Sequence, residues 1–199
     1  MQMGQEESKK SMGYATDYEI FGIDFCKTEG APGKIWGVLS SLNENAQNHL
    51  EIVEVDLEQG AVKKKDLLNI RYPASKVMWS PLAPSYGQEG QLLAVTSDKL
   101  RLYAYSDAKG VALKSELKNT LLNDLSAPLT SFDWSRDKNY IVCSSIDTTC
   151  SIFDIKEEKF YKQLIAHDKE VGSDQTFDVS FNEDGNLFVT VGGDNTLRQ

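Results

Sequence analysis

The sequence predicts an all-β fold: a β-propeller of about three and a half blades, forming an open arc. Three observations carry that expectation. Leu129 to Asp154, LTSFDWSRDKNYIVCSSIDTTCSIFD, reads as three short strands joined by tight connections, with side chains alternating at a period of two. The same pattern recurs from Lys76 to Tyr103 and from Phe177 to Arg198. The aromatic markers Trp79, Trp134 and Phe181 lie 55 and 47 residues apart, and the turn aspartates Asp98, Asp147 and Asp194 lie 49 and 47 apart. A repeat of that length holds about four strands, the content of one propeller blade.

Taken in order, residues 1–17 are polar, charged and small, and are expected to be a disordered tail. The first blade spans 18–71. Ile20 to Phe25 forms its inner strand, and Lys34 to Ser41 and His49 to Leu57 form two more. Within the last of these, Ile52, Val53, Val55 and Leu57 supply the apolar face, with Glu51, Glu54 and Asp56 expected outward. Lys63-Lys64-Lys65 reads as a solvated strand edge that resists edge pairing. The second blade spans 72–119 and contains the loop Pro81 to Gly90, whose prolines and glycines break any continuous element. The third spans 120–165 and includes Lys159 to Ile165. The fourth, 166–199, stops before its pattern is complete. A closed propeller has four to eight blades, so the expectation is a sequence cut from a longer product. A half-propeller completed by another chain is the alternative.

Composition narrows the function. Forty per cent apolar residues supports a folded core, and a net charge of −9 argues against a broad basic face for duplex nucleic acid or an anionic membrane. Cys26, Cys143 and Cys150 are odd in number and lack metal spacing. They read as buried thiols of a reducing compartment, cytoplasm or nucleus. No P-loop, dinucleotide fingerprint or zinc spacing is present, and no cofactor is expected. Asp133 and Asp178 both precede marker aromatics, so repetition rather than a glycosidase acid pair accounts for them. Gly172 to Thr176 reads as an insertion bulging from the loop side of blade 4.

Three segments, Ala127 to Ser135, Ser144 to Asp154 and Leu164 to Val171, resemble the WD-repeat family that includes the plant TTG-type regulators of anthocyanin and trichome fate and their kinase-associated animal and fungal counterparts. The resemblance runs from about Tyr18 to the end. It implies a seven-bladed propeller acting as a non-enzymatic scaffold. The partners it implies are a DYRK-type protein kinase and transcription regulators, with ubiquitin-ligase components in some relatives. Ligase recruitment goes with a Trp-Asp-x-Arg blade ending. Here that ending is Phe153-Asp154-Ile155-Lys156, and a lysine lacks the arginine fork.

In a WD-type blade, a histidine in the entering loop bonds the turn aspartate and a strand hydroxyl. The matching residues are His167, Asp194 and Thr190. Asp98 and Asp147 have no such histidine, and Tyr103 and Phe153 stand where a tryptophan is usual, so packing should carry more of those blades. The set also resembles a hydrolase triad, but no nucleophile elbow accompanies it. Partner contacts are assigned by position to inter-blade loops: Arg71, Tyr72, Lys76, Asp124, Pro128, Asp168 and Lys169. The competing readings are a propeller enzyme with a channel active site, glycosidase or other hydrolase, and a non-functional fragment.

Overall fold

The computed structural model describes residues 11–28, 32–44, 47–83, 90–119, 127–167 and 175–199. Among them the chain forms fifteen strands and no helix. Gly22–Phe25 (β1), Lys34–Ser40 (β2), Asn48–Asp56 (β3) and Ala61–Ile70 (β4) make the first sheet. Lys76–Trp79 (β5), Gln91–Thr96 (β6), Leu100–Ser106 (β7) and Gly110–Leu117 (β8) make the second. Leu129–Trp134 (β9), Tyr140–Ser145 (β10), Thr149–Asp154 (β11) and Lys159–Ile165 (β12) make the third, and Thr176–Phe181 (β13), Phe188–Gly192 (β14) and Leu197–Arg198 (β15) the fourth. Each sheet is an antiparallel meander in sequence order. The first strands pack in series, β1 against β5, β5 against β9 and β9 against β13, as the inner strands of a propeller do.

Because side chains alternate between strand faces, a blade sandwiched between two others must be apolar on both. Strand β6 shows this. Leu93 and Val95 enter the core shared with the first blade, packed with Trp79, Tyr103 and Tyr105, while Ala94 enters the core shared with the third. Strand β10 repeats it: Ile141 and Cys143 face blade 2, and Val142 faces blade 4. Burial pushes the Cys143 thiol well above its usual range and the Cys150 thiol to about 12, so both remain protonated, apolar filling.

Strand β3 departs from the sequence reading. Glu51, Glu54 and Asp56 are buried rather than outward. Each is kept there by donors. Glu51 accepts the Tyr18 hydroxyl at 3.2 Å and the Tyr14 hydroxyl, with Lys64 Nζ at 3.4 Å. Glu54 pairs with Lys34 at 3.0 Å and Lys65 at 3.6 Å, and Asp56 caps its own turn through the Gln59 N–H at 2.8 Å. The lysine run on β4, an outer strand, therefore both faces solvent and neutralises the acids on the neighbouring strand. Tyr14 belongs to the segment assigned to the tail, and His49 stacks on Tyr18 at 4.7 Å between ring centroids.

The inner strands are stitched by carboxylates. Asp24 accepts the Trp79 N–H at 2.7 Å, and Asp133 accepts the Phe181 N–H at 2.8 Å. Strand register corrects the pairing of Asp133 with Asp178. Asp133 lies opposite Val142, one residue before Trp134, whereas Asp178 lies opposite Val191, three before Phe181. Asp178 is thus the counterpart of Ser131, and the two blades exchange partners: Ser131 donates to Asp178 while Ser180 donates to Asp133 at 3.1 Å. Lys76 is not a loop residue either. It opens β5, and its ammonium donates to Ser131 Oγ at 2.9 Å and lies 3.3 Å from Asp178. One amine thereby ties three blades together.

Candidate functional site

The turn aspartates sit in the connections between second and third strands. In blade 4, Asp194 accepts from the Thr196 N–H at 3.0 Å and the Thr196 hydroxyl at 2.7 Å. In blade 3, Asp147 accepts the Thr149 N–H at 3.1 Å and hydroxyl at 2.7 Å. Both Asp-x-Thr turns put the middle residue in the left-handed region, Thr148 at φ 72° and Asn195 at φ 59°. An aspartate that holds the next-but-one amide fixes such a turn.

His167 is 1% exposed and enters from the loop after β12. Its Nδ1 lies 2.9 Å from Asp194 Oδ1, and its Nε2 lies 3.0 Å from Thr190 Oγ1. Arg198 closes the cluster with Nη2 at 3.0 Å from Asp194 Oδ2. By register, Thr190 corresponds to Cys143 in blade 3 and Val95 in blade 2, opposite Phe132 and Val77. Those blades thus lack the hydroxyl as well as the histidine, and Asp147 serves its own turn alone.

In blade 2 the connection is tighter. Three residues separate the pair Thr96–Leu100, against five between Ser144 and Cys150, and Leu100 stands where a threonine hydroxyl would serve. Arg101 takes over. Its Nη1 donates to Asp98 Oδ1 and to Ser97 Oγ, each at 2.7 Å, and its Nε donates to Glu116 at 3.0 Å. Arg101 also lies 5.5 Å from the centre of the Tyr72 ring, and Arg71 lies 5.2 Å from it. Arg71, Tyr72 and Asp98, predicted separately, thus line one groove of about 300 Å³ between the first two blades. Sequence reasoning missed Arg101; its signal was an arginine three residues after a turn aspartate that has no threonine two residues on.

Pro128 contributes its carbonyl, which accepts the Ile146 N–H and the Ser145 hydroxyl, both at 3.1 Å, and so anchors the loop entering blade 3. Asp124, Asp168 and Lys169 lie outside the described residues, as does most of the Gly172 to Thr176 insertion.

These clusters shift titration. Burial alone would raise the Asp98, Asp178 and Asp194 carboxyls. Against it, the Arg101 and Ser97 donors, the Ser131 hydroxyl with Lys76, and the Thr196 and His167 donors respectively hold all three below the ordinary range. A carboxyl depressed in the folded state stabilises above its unfolded pKa of about 3.9, and that stabilisation is lost as pH falls through the folded value. Asp24 opposes the trend, since burial outweighs the Trp79 N–H and raises it. Asp107, bonded by Lys65, and Asp137, bonded by Ser135, are held low as well. With five carboxyls against one, the urea midpoint is expected to fall between pH 6 and pH 3. A midpoint that does not move would refute the assignment.

Four meandering sheets whose first strands pack in series, with aspartate-fastened turns between second and third strands, make this a β-propeller arc, and its third and fourth blades carry WD-type repeats. The family model described as "WD domain, G-beta repeat" matches residues 116–154 and 158–199. The chain is 35% identical over 203 residues to an uncharacterised WD repeat-containing protein of Schizosaccharomyces pombe, covering 97% of this chain and 45% of that one. It is 34% identical over 194 residues to a DDB1- and CUL4-associated factor 7 homolog of Dictyostelium discoideum, covering 96% and 57%. A WD repeat-containing protein of Saccharomyces cerevisiae is 32% identical over 207 residues, covering 93% and 36%. The chain spans about half the length of the curated relatives it matches.

Proposed function

We propose that this chain is a non-catalytic adaptor that holds protein partners at the loop end of its blades. A DYRK-type kinase and transcription regulators are the partners proposed, and the factor 7 homolog among its relatives adds DDB1–CUL4-type ubiquitin-ligase components as a third class. The observation that carries the reading is the Arg71–Tyr72 groove, an exposed aromatic flanked by guanidinium groups in the loop from β4 to β5. Arginine and tyrosine are the side chains that most often dominate protein interfaces. The enzyme reading has less support: Asp133, Asp178, His167 and Asp194 each serve strand or turn bonds, with His167 sealed from solvent. Three buried free cysteines fit the proposed cytoplasmic or nuclear setting.

The test is co-purification of a DYRK-type kinase with the wild-type chain, with Arg71→Ala/Tyr72→Ala and with Asp168→Ala/Lys169→Ala, alongside thermal melts. At least a tenfold loss of kinase with unchanged melting is expected for the first pair. Undiminished recovery removes the groove from the kinase site. Undiminished recovery with Asp168→Ala/Lys169→Ala removes that pair.

A further inference from the structure

We infer that the groove between blades 1 and 2 recognises a single carboxylate side chain, Asp or Glu, in a short extended peptide; the inference rests on the adaptor reading and names the chemistry of its site. The charges lining the groove make the case. Arg101 is held by Asp98 and Glu116, and Lys99 by Glu116 at 3.3 Å, so those cations already have anionic partners. Arg71 makes no ion pair among the described residues and lies over Tyr72 in solvent. Three cations and two anions leave the groove with one uncompensated positive charge, on a chain whose net charge is −9.

One unpaired guanidinium matches one carboxylate, which it can take with two parallel N–H donors. A phosphoryl group fits less well. It carries nearly two charges, and Asp98 and Glu116 stand beside it with only Arg71 unpaired. Tyr72 supplies the second half of the site. The residue is 36% exposed, and Arg101, pinned by two carboxylates, lies 5.5 Å from its ring centre and steadies it. With Arg71 and Arg101 both over the ring, an apolar residue next to the acid would meet the part of Tyr72 left exposed, on a side chain that loses little freedom on binding. Arg71 and Tyr72 are adjacent in the loop from β4 to β5, so both contacts fall within two or three residues of one peptide.

The experiment is selection of a phage-displayed random peptide library on the wild-type chain, with the enriched peptides re-measured as fluorescein conjugates by anisotropy. The re-measurement uses wild type, Arg71→Ala, Arg71→Lys and Tyr72→Ala at 50 and 300 mM NaCl. Enrichment of peptides with a fixed Asp or Glu beside an apolar residue is expected. Their affinity should fall at least tenfold with Arg71→Ala, fall less with Arg71→Lys, and weaken with salt. Replacing the peptide acid by its amide should cost as much as Arg71→Ala, and phosphoserine at that position should bind no better than Glu. Peptides that need Arg71 or Tyr72 but carry no acid would overturn the carboxylate assignment and leave the groove as a docking site. A phosphoserine preference would overturn it in favour of a phosphopeptide. Peptides indifferent to both residues, or no enrichment at all, would overturn the groove itself.

Discussion

Phe153→Ala is expected to lower the unfolding free energy by about 3–5 kcal/mol, the range for emptying a buried aromatic site. Phe153 lies in β11, is 2% exposed, and packs with Phe132, Ile141, Leu100 and Leu102 in the core between blades 2 and 3. Its ring meets Phe160 edge-on at 6.0 Å between centroids. That geometry adds to the burial. Blade 3 has no histidine–aspartate–hydroxyl cluster to hold its strands in register, and the apolar Cys143 stands where Thr190 stands in blade 4. Packing therefore carries more of this blade, beside the Asp147–Thr149 turn and the Gln163–Thr149 bond, so the loss should be large there. Urea denaturation of Phe153→Ala beside the wild type measures it. A loss under about 1 kcal/mol, the size of an ordinary surface-to-partly-buried change, would mean that blade 3 does not depend on this core.

Why the fold was legible and parts of the site were not has a physical basis. Repeat spacing exposed the blades because the marker aromatics and turn aspartates recur with the sheet, and each Asp-x-Thr turn encodes its own geometry locally. The buried face of β3 was hidden. Alternation of apolar and charged residues normally separates inside from outside, but Glu51 and Glu54 are covered by lysines from another strand and by tyrosines more than thirty residues away. Lys76 was misplaced for a related reason, since a lysine opening a strand looks like a loop residue until the Ser131 and Asp178 partners, 55 and 102 residues on, are seen. Arg71 and Tyr72 were guessed from position alone. What makes them a groove is Arg101, whose role follows from a hairpin two residues shorter than that of blade 3, a length that shows only once the strands are paired.

His167→Ala is the second large effect expected, a loss of about 1–3 kcal/mol, because it leaves the buried Thr190 hydroxyl and the partly buried Asp194 without their shared partner. Gly192 shows how closely the ring is held: a Cβ there would sit 2.7 Å from His167 Cγ and Nδ1, so Gly192→Ala should destabilise through the same contact. Blades 2 and 3 suggest the control. They carry Val95 and Cys143 at the hydroxyl position with no histidine above, so removing both members of the bond should cost less than the two single losses combined. In a cycle of His167→Ala, Thr190→Val and the double variant, the coupling should be about 0.5–3 kcal/mol, as for residues in one hydrogen-bonded network. Additive losses would mean that the histidine acts by filling space. A coupled pair would show that blade 4 keeps its register through a histidine-centred polar contact, which blade 3 lacks and which Arg101 replaces in blade 2.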